Sequence, residues 1–208
     1  MVSSLDHHLA VVFDFGGVLF DWSPRYLYQS HFNGDMEAVD RFLDEVGFYA
    51  WNDEQDRGRS FGEAIAVLTA RFPQYTRLIR AYDEEYIKSI GGAIQTSVDR
   101  LWSLKQAGYP LYALSNWSVE KFRVIRSKYA FLDWFDDILI SGEVKLIKPD
   151  PLIFEAFLAR THRRAEECLF IDDSAKNAAA ARGLGFKAIH YQGPEQLDKE
   201  LRRQGVTF

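Results

Sequence analysis

Short runs of apolar and β-branched residues recur at the start of the chain and throughout its second half. They lie at residues 10–14, 110–114, 137–140, 168–171 and 187–191, and each is too short for a helix. After residue 100, helix-like stretches separate them, at residues 119–129, 151–161, 175–184 and 195–204. Alternating strands and helices predict parallel βαβ units, and near-continuous apolar strands predict a sheet that helices cover on both faces. We therefore predict an α/β fold with a doubly wound parallel sheet of about five strands.

The interval between residues 20 and 108 interrupts this alternation, because it holds helical patterns and no clear strand. The helical signals are Pro24, an apolar stripe at Met36, Val39, Leu43 and Val46, the capping pair Ser60 and Glu63, and a stripe at Ile79, Tyr82, Tyr86 and Ile90 before Gly91-Gly92. We predict an inserted four-helix cap at residues 21–92. Residues 1–20 and 93–208 then form the α/β core.

The composition is that of a soluble globular protein, with 47% hydrophobic and 26% charged residues among 208. A net charge of −5 gives no support for a nucleic-acid partner. The single cysteine, Cys168, cannot form an internal disulfide, which favours a cytoplasmic location. The apolar run at residues 9–20 is short, is interrupted by Asp14 and lacks a basic leader, so we expect neither a signal peptide nor a membrane partner. We expect a monomer or a homodimer.

Polar residues follow the predicted strands at the end where open α/β sheets bind ligands. Asp14 with Gly16 and Gly17 suits a nucleophile beside a cradle for an anion. Ser115 and Asn116 follow the second strand, and a hydroxyl with free amides at a helix start can hold phosphate. Each of these residues, taken alone, also fits simple capping of a turn or helix.

A basic residue and an acidic pair complete the set of polar residues at this end of the sheet. Lys148 precedes a helix start and would neutralise a carboxylate nucleophile and a phosphoryl group, with Lys145 as the competing candidate and a solvated surface lysine as the alternative. Asp172 and Asp173 are adjacent carboxylates whose repulsion a cation would relieve, although a capping Asp with an exposed neighbour also fits. With Asp14 they match the oxygen ligands of Mg²⁺.

Four segments in this order resemble the motifs of the haloacid dehalogenase superfamily of hydrolases. They are Asp14-Phe15-Gly16-Gly17-Val18, Leu114-Ser115-Asn116, Lys148-Pro149, and Ile171-Asp172-Asp173 followed by Asn177. The insertion resembles the small helical cap of that superfamily, and Asp56-Arg57-Gly58-Arg59-Ser60 resembles the cap turn that faces the active site. The most similar subgroup is that of the bacterial phosphatases that resemble glucose-1-phosphate phosphatase.

The resemblance implies a Mg²⁺-dependent phosphatase that acts on a small phosphorylated metabolite, such as a sugar phosphate. By it, Asp14 attacks phosphorus and forms an aspartyl-phosphate, while Ser115 and Lys148 hold the phosphoryl oxygens. The implied Mg²⁺ contacts are Asp14, Asp173 and the carbonyl of Gly16, with Asp172 as a direct or water-mediated contact and Asn177 orienting this set. The implied substrate contacts are Gly16, Gly17, Asn116, Trp117 and, from the cap, Arg57.

Gly16 departs from the pattern of many phosphatases of the superfamily, which carry at this position a second Asp as general acid and base. Asp21 or a water is a candidate to take over that proton transfer. Two alternatives therefore remain open. A metal-independent 2-haloacid dehalogenase also lacks the second Asp, but Asp172 and Asp173 would place needless negative charge near its anionic substrate. A catalytically silent module that binds a phospho-ligand or a protein is the other, and the retained Asp14 and Lys148 argue against it.

Overall fold

The structure is a computed structural model that describes residues 9–208, so residues 1–8 of the predicted core lie outside the described residues. The strands are β1 (Ala10–Phe13), β2 (Phe20–Trp22), β3 (Ile90–Ala93), β4 (Leu111–Ser115), β5 (Asp137–Ile140), β6 (Cys168–Asp172) and β7 (Lys187–His190). The first half of the chain holds helices α1 (Pro24–Tyr28), α2 (Met36–Val46), α3 (Phe48–Asp56), α4 (Phe61–Arg71), α5 (Thr76–Glu84) and α6 (Gln95–Gln106). The second half holds α7 (Val119–Arg126), α8 (Ser141–Val144), α9 (Pro151–Thr161), α10 (Ala175–Gly183) and α11 (Pro194–Arg203). Within residues 9–208, no helix has both the length and the apolar character that crossing a membrane requires.

The main sheet has five parallel strands in the order β5-β4-β1-β6-β7. These are the five predicted strands, and each predicted boundary lies within one residue of the observed one. The doubly wound α/β prediction is therefore confirmed. Short apolar runs identified these strands because both faces of the sheet are buried, so that almost every strand residue is apolar.

The two faces of the sheet pack into separate apolar clusters. On β1, Val11 and Phe13 point into a large cluster that continues into the helices between β2 and β3, whereas Ala10 and Val12 point to the other face. There they pack near Phe154 of α9 and Phe170 of β6. Alternate side chains of a strand point to opposite faces, so this short strand anchors both halves of the core.

The inserted segment, residues 21–92, differs in detail from the predicted four helices. It contains five α-helices, because α3 was not predicted, and the last predicted helix ends at Glu84 and gives way to a 3₁₀ turn at Tyr86–Ser89. The flanking strands β2 and β3 pair antiparallel and were also missed, since they are three and four residues long and β3 contains two glycines. Outside the segment, the mostly polar α6 was missed as well.

Polar contacts join the inserted segment to the core, and three of them lie at the ends of its helices. The ammonium of Lys121, which α7 buries, forms an ion pair with Asp83 and also donates to the Asp83 carbonyl at 2.9 Å. The hydroxyl of Ser141 donates to the carbonyl of Asp56 at 2.6 Å. The amide of Phe61 donates to the Glu120 carboxylate at 3.1 Å. These contacts hold the ends of α3, α4 and α5 against the carboxyl edge of the sheet.

Helix α9 offers a matched test of the core. Phe154 is fully buried, with its ring centroid 5.5 Å from Phe170 and 5.7 Å from Phe186, whereas Leu152 on the same helix is 53% exposed. We expect Phe154→Ala to lower the free energy of unfolding by about 3–5 kcal/mol, because it removes buried apolar contacts and leaves a cavity. Leu152→Ala should change it by less than about 0.5 kcal/mol. Urea unfolding measures both, and equal effects would contradict this packing.

Candidate active site

The carboxyl ends of three adjacent strands meet near the centre of the sheet. β1 lies between β4 and β6, and the chain crosses from one side of β1 to the other between β5 and β6, which is a topological switch point. Asp14 follows β1, Ser115 ends β4 and Asp172 ends β6. The amide of Asp14 donates to the carbonyl of Ile171 at 2.8 Å. The sheet register therefore brings together residues that are far apart in the sequence.

A cavity of about 400 Å³ opens at this point, between the sheet and the inserted segment. The core lines it with Asp14, Gly16, Gly17, Ser115, Asn116, Trp117, Lys148, Asp173 and Asn177. The inserted segment lines it with Trp22, Tyr49, Asn52, Asp53, Asp56 and Tyr86. The predicted site residues of the core thus share one cavity, except for Asp172, which is fully buried.

Lys148 is the buried cation of the site. Its ammonium lies 2.9 Å from a carboxylate oxygen of Asp14 and 2.6 Å from one of Asp172, and it donates to the carbonyl of Leu114 at 2.9 Å. The side chain is almost fully buried. An ammonium has three protons to donate, and here each has an acceptor. The group therefore joins the ends of β1, β4 and β6, and the alternative of a solvated surface lysine does not hold.

Asn116 positions the backbone of this lysine. Its side-chain amide donates to the Lys148 carbonyl at 3.0 Å, and its side-chain oxygen accepts from the Lys148 amide at 2.8 Å. Both polar atoms of the Asn116 side chain are engaged in this way. Asn116 would therefore contribute to substrate binding indirectly, by positioning the loop that carries Lys148. Lys145, the competing candidate, does not line the cavity.

The pKa values of Asp14 and Lys148 are both raised above their ordinary values. Burial raises the pKa of the Asp14 carboxyl to about 7, with Lys148 opposing the rise and Asp172 and Asp173 adding to it. Burial alone would lower the pKa of Lys148, but Asp14 and Asp172 together raise it above its ordinary value. The ammonium is therefore charged across the physiological range. The Asp14 carboxyl is a weaker acid than usual, because the effect of its burial outweighs the positive charge of Lys148.

Asp14, Asp172 and Asp173 form an acidic cluster, with one oxygen from each within 4.8 Å of the others. The carboxylate of Asp172 is already occupied, since it accepts from Lys148, from the Ser174 amide at 2.8 Å and from the Asn177 amide group at 3.0 Å. Asp173 as a whole residue is exposed, but its carboxylate lies against Gly17. Desolvation there and the negative charge of Asp172 raise its pKa. When all three carboxylates are ionised, the single ammonium leaves two negative charges to be balanced.

This cluster fits a Mg²⁺ ion. Mg²⁺ takes oxygen ligands and usually keeps several waters beside one or two carboxylates. Asp14 and Asp173 are the side chains with room to bind it directly, while the saturated Asp172 would act through water. Asn177 donates to Asp172, which is the contact that the predicted orienting role would use.

The two glycines after Asp14 differ in how strictly they are required. Gly17 has a φ of +69°, and a Cβ there would lie 2.2 Å from a carboxylate oxygen of Asp173, so a side chain would displace that carboxylate. A Cβ at Gly16 would meet no heavy atom within 4 Å. The position where many related phosphatases have their second Asp is therefore open space.

One face of α3 forms the outer wall of the cavity. Tyr49, Asn52, Asp53 and Asp56 line it, at the i, i+3, i+4 and i+7 spacing of one helix face. Apolar periodicity in the sequence does not reveal this wall, because its stripe is polar. Burial raises the pKa of Asp56 to about 8, the negative charges of Asp53 and Asp14 add to the rise, and a hydrogen bond from the Ser118 amide opposes it.

Two residues proposed from the sequence lie outside the cavity. Arg57 caps the C-terminus of α3, is exposed and lies 3.7 Å from Glu54; it does not line the cavity, and its contact with substrate stays a prediction. Its neighbour Asp56 faces the cavity instead, because successive helix residues point about 100° apart. Asp21 accepts a hydrogen bond from Tyr26 at 2.8 Å away from the site and is not a substitute acid.

Trp117 does line the cavity, although most of its ring is buried in the core. Only 6% of the residue is exposed, and its ring makes edge contacts with Phe15 and Phe20 at centroid distances of 6.0 and 5.7 Å. Trp51, a further aromatic residue of the inserted segment, is buried and donates its indole N–H to the Ala64 carbonyl at 3.1 Å. Aromatic packing therefore supports the wall of the site more than it offers free ring faces.

Comparison with characterised proteins gives phosphatases and dehalogenases. The chain is 28% identical to the sesquiterpene phosphatase astK of Aspergillus oryzae over 93% of this chain and 95% of that protein. It is 22% identical to the D-ribitol-5-phosphate phosphatase of Bacteroides thetaiotaomicron, over 92% and 95%. It is also 28% identical to an (S)-2-haloacid dehalogenase of Pseudomonas putida, over 85% and 81%.

Solved structures share the fold over nearly the whole chain. A haloacid dehalogenase family enzyme of Bacteroides thetaiotaomicron, crystallised with magnesium and inorganic phosphate, superimposes with a TM-score of 0.69 at 23% identity, covering 88% of this chain and 94% of that one. The family model for haloacid dehalogenase-like hydrolases matches residues 8–185. The order of the four polar segments, the switch-point cavity and this match lead to one conclusion: the chain belongs to the haloacid dehalogenase-like hydrolases.

Proposed function

We propose that this protein is a Mg²⁺-dependent phosphatase that hydrolyses a small phosphate monoester through an aspartyl-phosphate on Asp14. The observation that carries the proposal is the charge of the site, where three carboxylates surround one ammonium. A divalent cation would balance the remaining negative charge, and the phosphoryl group would then lie between that cation and Lys148. The characterised phosphatases among the relatives support the same reaction.

The side chains of the core have separable roles in this reaction. Asp14 presents a carboxylate oxygen as nucleophile, and its other contacts, the Phe15 amide at 2.7 Å and Lys148, restrict its orientation. Lys148 and the groups of the loop after β4, including Ser115, would hold the phosphoryl oxygens. When bound, Mg²⁺ supplies positive charge to those oxygens, which is the dominant form of catalysis in phosphoryl transfer. Asn177 and Asn116 fix the acidic cluster and the lysine.

The outer wall of the cavity indicates the kind of leaving group. Among the described residues that line it, Lys148 is the only basic one, and it is engaged at the nucleophile. Asp53 and Asp56 make the outer wall acidic, and Asn52 and Tyr49 add hydrogen-bonding groups. A second phosphate or a carboxylate on the leaving group would face the Asp53 carboxylate, and no further basic residue among the described lining residues could pair with it. We infer a substrate whose leaving group is an uncharged alcohol, such as a polyol or a sugar, with residues 21–92 acting as the cap.

A 2-haloacid dehalogenase is the second candidate, supported by the dehalogenases among the relatives and by Gly16. Its substrate carries a carboxylate, which would have to bind beside Asp14, Asp173 and the acidic wall. A metal-independent dehalogenase has no cation to offset these carboxylates, so they disfavour its anionic substrate. Membership of the glucose-1-phosphate phosphatase-like subgroup remains a prediction that depends on the phosphatase hypothesis.

The first test is phosphate release from p-nitrophenyl phosphate and from sugar, polyol and carboxylate-bearing phosphates. We expect turnover with Mg²⁺, loss of turnover with EDTA, and preference for uncharged leaving groups. Asp14→Asn should lower kcat about 10³-fold or more, because it removes the nucleophile. Asp21→Asn, a carboxylate of the inserted segment outside the cavity, serves as the control and should retain activity.

Two outcomes of this test would reject the phosphatase. Chloride release from 2-chloropropionate without metal, with no phosphate release from any ester, would identify a dehalogenase. Metal-dependent binding of inorganic phosphate without turnover of any substrate would identify a silent binding module.

The glycine pair gives a second test, directed at the metal. Gly17→Ala should displace the Asp173 carboxylate, raise the Mg²⁺ concentration needed for half-maximal activity, and lower kcat on the order of 10²-fold, because a shift of about 1 Å in a catalytic group has that effect. Gly16→Ala enters open space and should change both values only a few-fold. Magnesium titrations of phosphatase activity compare the two variants. Equal losses of activity in the two variants would show that activity does not depend on the observed position of the Asp173 carboxylate.

A further inference from the structure

The reaction proposed above needs a proton donor that the nucleophile loop does not contain. An alcohol leaves poorly as an alkoxide, so a positioned acid contributes about 10²–10⁴-fold to the rate. Gly16 has no side chain, and the space beside it is open. An acid that serves this reaction must therefore reach the cavity from another element.

Asp56, at the end of α3, is the carboxyl group that the fold holds in the cavity wall for this purpose. Its main chain is fixed by the hydrogen bond from Ser141 at 2.6 Å, and its half-buried carboxylate accepts from the side-chain amide of Asn52 at 3.1 Å. Asn52 is itself oriented by Tyr82, whose hydroxyl donates to the Asn52 oxygen at 3.0 Å. The Ser118 amide, next to the loop that carries Ser115, donates to Asp56 as well.

We propose that Asp56 is the general acid and base of this site, supplied by the inserted segment in place of the side chain that Gly16 lacks. This inference rests on the proposed phosphatase function. It assigns a catalytic role to the residue of the Asp56-Arg57-Gly58 turn that faces the cavity.

The two steps balance in atoms and protons. In the first, a carboxylate oxygen of Asp14 bonds to phosphorus, the bond from phosphorus to the leaving oxygen breaks, and that oxygen keeps the electron pair and takes the proton of Asp56. In the second, a water oxygen bonds to phosphorus, one water proton passes to the Asp56 carboxylate, and the bond from phosphorus to Asp14 breaks. The alcohol and inorganic phosphate leave, and both carboxyl groups return to their starting protonation.

The surroundings of Asp56 favour the protonated form that the first step requires. The titratable groups that face it are Asp53 on α3, Asp14 after β1, and Tyr82 and Tyr86 at the end of the inserted segment. Burial is the largest influence, the two carboxylates add to it, and the pKa of Asp56 rises to about 8. The acid is therefore protonated at neutral pH and loses its proton as the pH rises above about 8.

The test compares kcat/KM for glycerol 1-phosphate and p-nitrophenyl phosphate, since p-nitrophenolate leaves without a proton. Asp56→Asn should lower the value for the alkyl ester about 10²–10⁴-fold and the value for the aryl ester less than about tenfold. It should also abolish the decline that the wild type shows with the alkyl ester above pH 8 or so. Asp53→Asn changes a neighbouring carboxylate on the same helix face and leaves the acid in place, so below about pH 7 it should change both esters in nearly equal proportion.

Gly16→Asp in the Asp56→Asn background supplies a rescue, because it places a carboxyl in the open space beside the nucleophile. Recovery of activity toward the alkyl ester supports the acid role, whereas a mere hydrogen-bonding role toward Ser118 would not be rescued. Should the variant fold poorly, the dependence of kcat/KM on leaving-group acidity across substituted phenyl phosphates is measured within one preparation and does not depend on the folded fraction.

Equal loss toward both esters in Asp56→Asn would overturn the assignment of Asp56 while leaving the phosphatase intact. A wild-type protein that hydrolyses neither ester would overturn the proposed function itself. The two failures are thus distinct.

Discussion

The buried ammonium of Lys148 is the interaction on which the arrangement of this site depends. It is held by Asp14, Asp172 and a carbonyl of β4, and through them it joins three strands that lie far apart in the sequence. Removing one partner of a buried ion pair typically costs about 3–5 kcal/mol, because the other charge is left unpaired. When its three carboxylates are ionised, the same cluster carries more negative than positive charge, which fits the binding of a cation. Stability and the proposed metal binding therefore involve the same groups, because the side chains that fix the strand ends belong to the acidic cluster that fits Mg²⁺.

The inserted segment complements what the sheet supplies. The sheet edge provides Asp14, which we propose as the nucleophile, together with the lysine and the acidic cluster, whereas the loop after Asp14 has no second acid and leaves open space. Helix α3 faces that space with a polar stripe, and its C-terminal end is held to the core through Asp56 and Ser141. The ion pair of Lys121 with Asp83 holds the end of α5 to the core in the same way. In the proposed reaction, the nucleophile and the acid therefore come from two parts of the chain.

The sequence was informative wherever burial imposes a simple pattern. The five strands were predicted because both faces of the sheet exclude polar residues, and the polar residues at their ends stood out against that background. The pattern failed where an element is short or polar. Strands β2 and β3 are too short for alternation to be visible, and α3 buries Phe48 and Trp51 while presenting a polar face to the cavity. A turn signature does not fix which of two neighbouring residues faces inward. It therefore favoured Arg57 as the substrate contact, whereas Asp56 lines the cavity.

Magnesium binding tests the central claim about the charge of the site most directly. Calorimetric titration of Mg²⁺ into the wild-type chain and into Asp173→Asn separates binding from turnover. We expect one ion per chain in the wild type and an affinity about 10–100-fold weaker in Asp173→Asn, on the scale of changes in metal coordination. Absence of Mg²⁺ binding to the wild type, or equal affinity in both proteins, would contradict the view that the acidic cluster around Lys148 is completed by a metal.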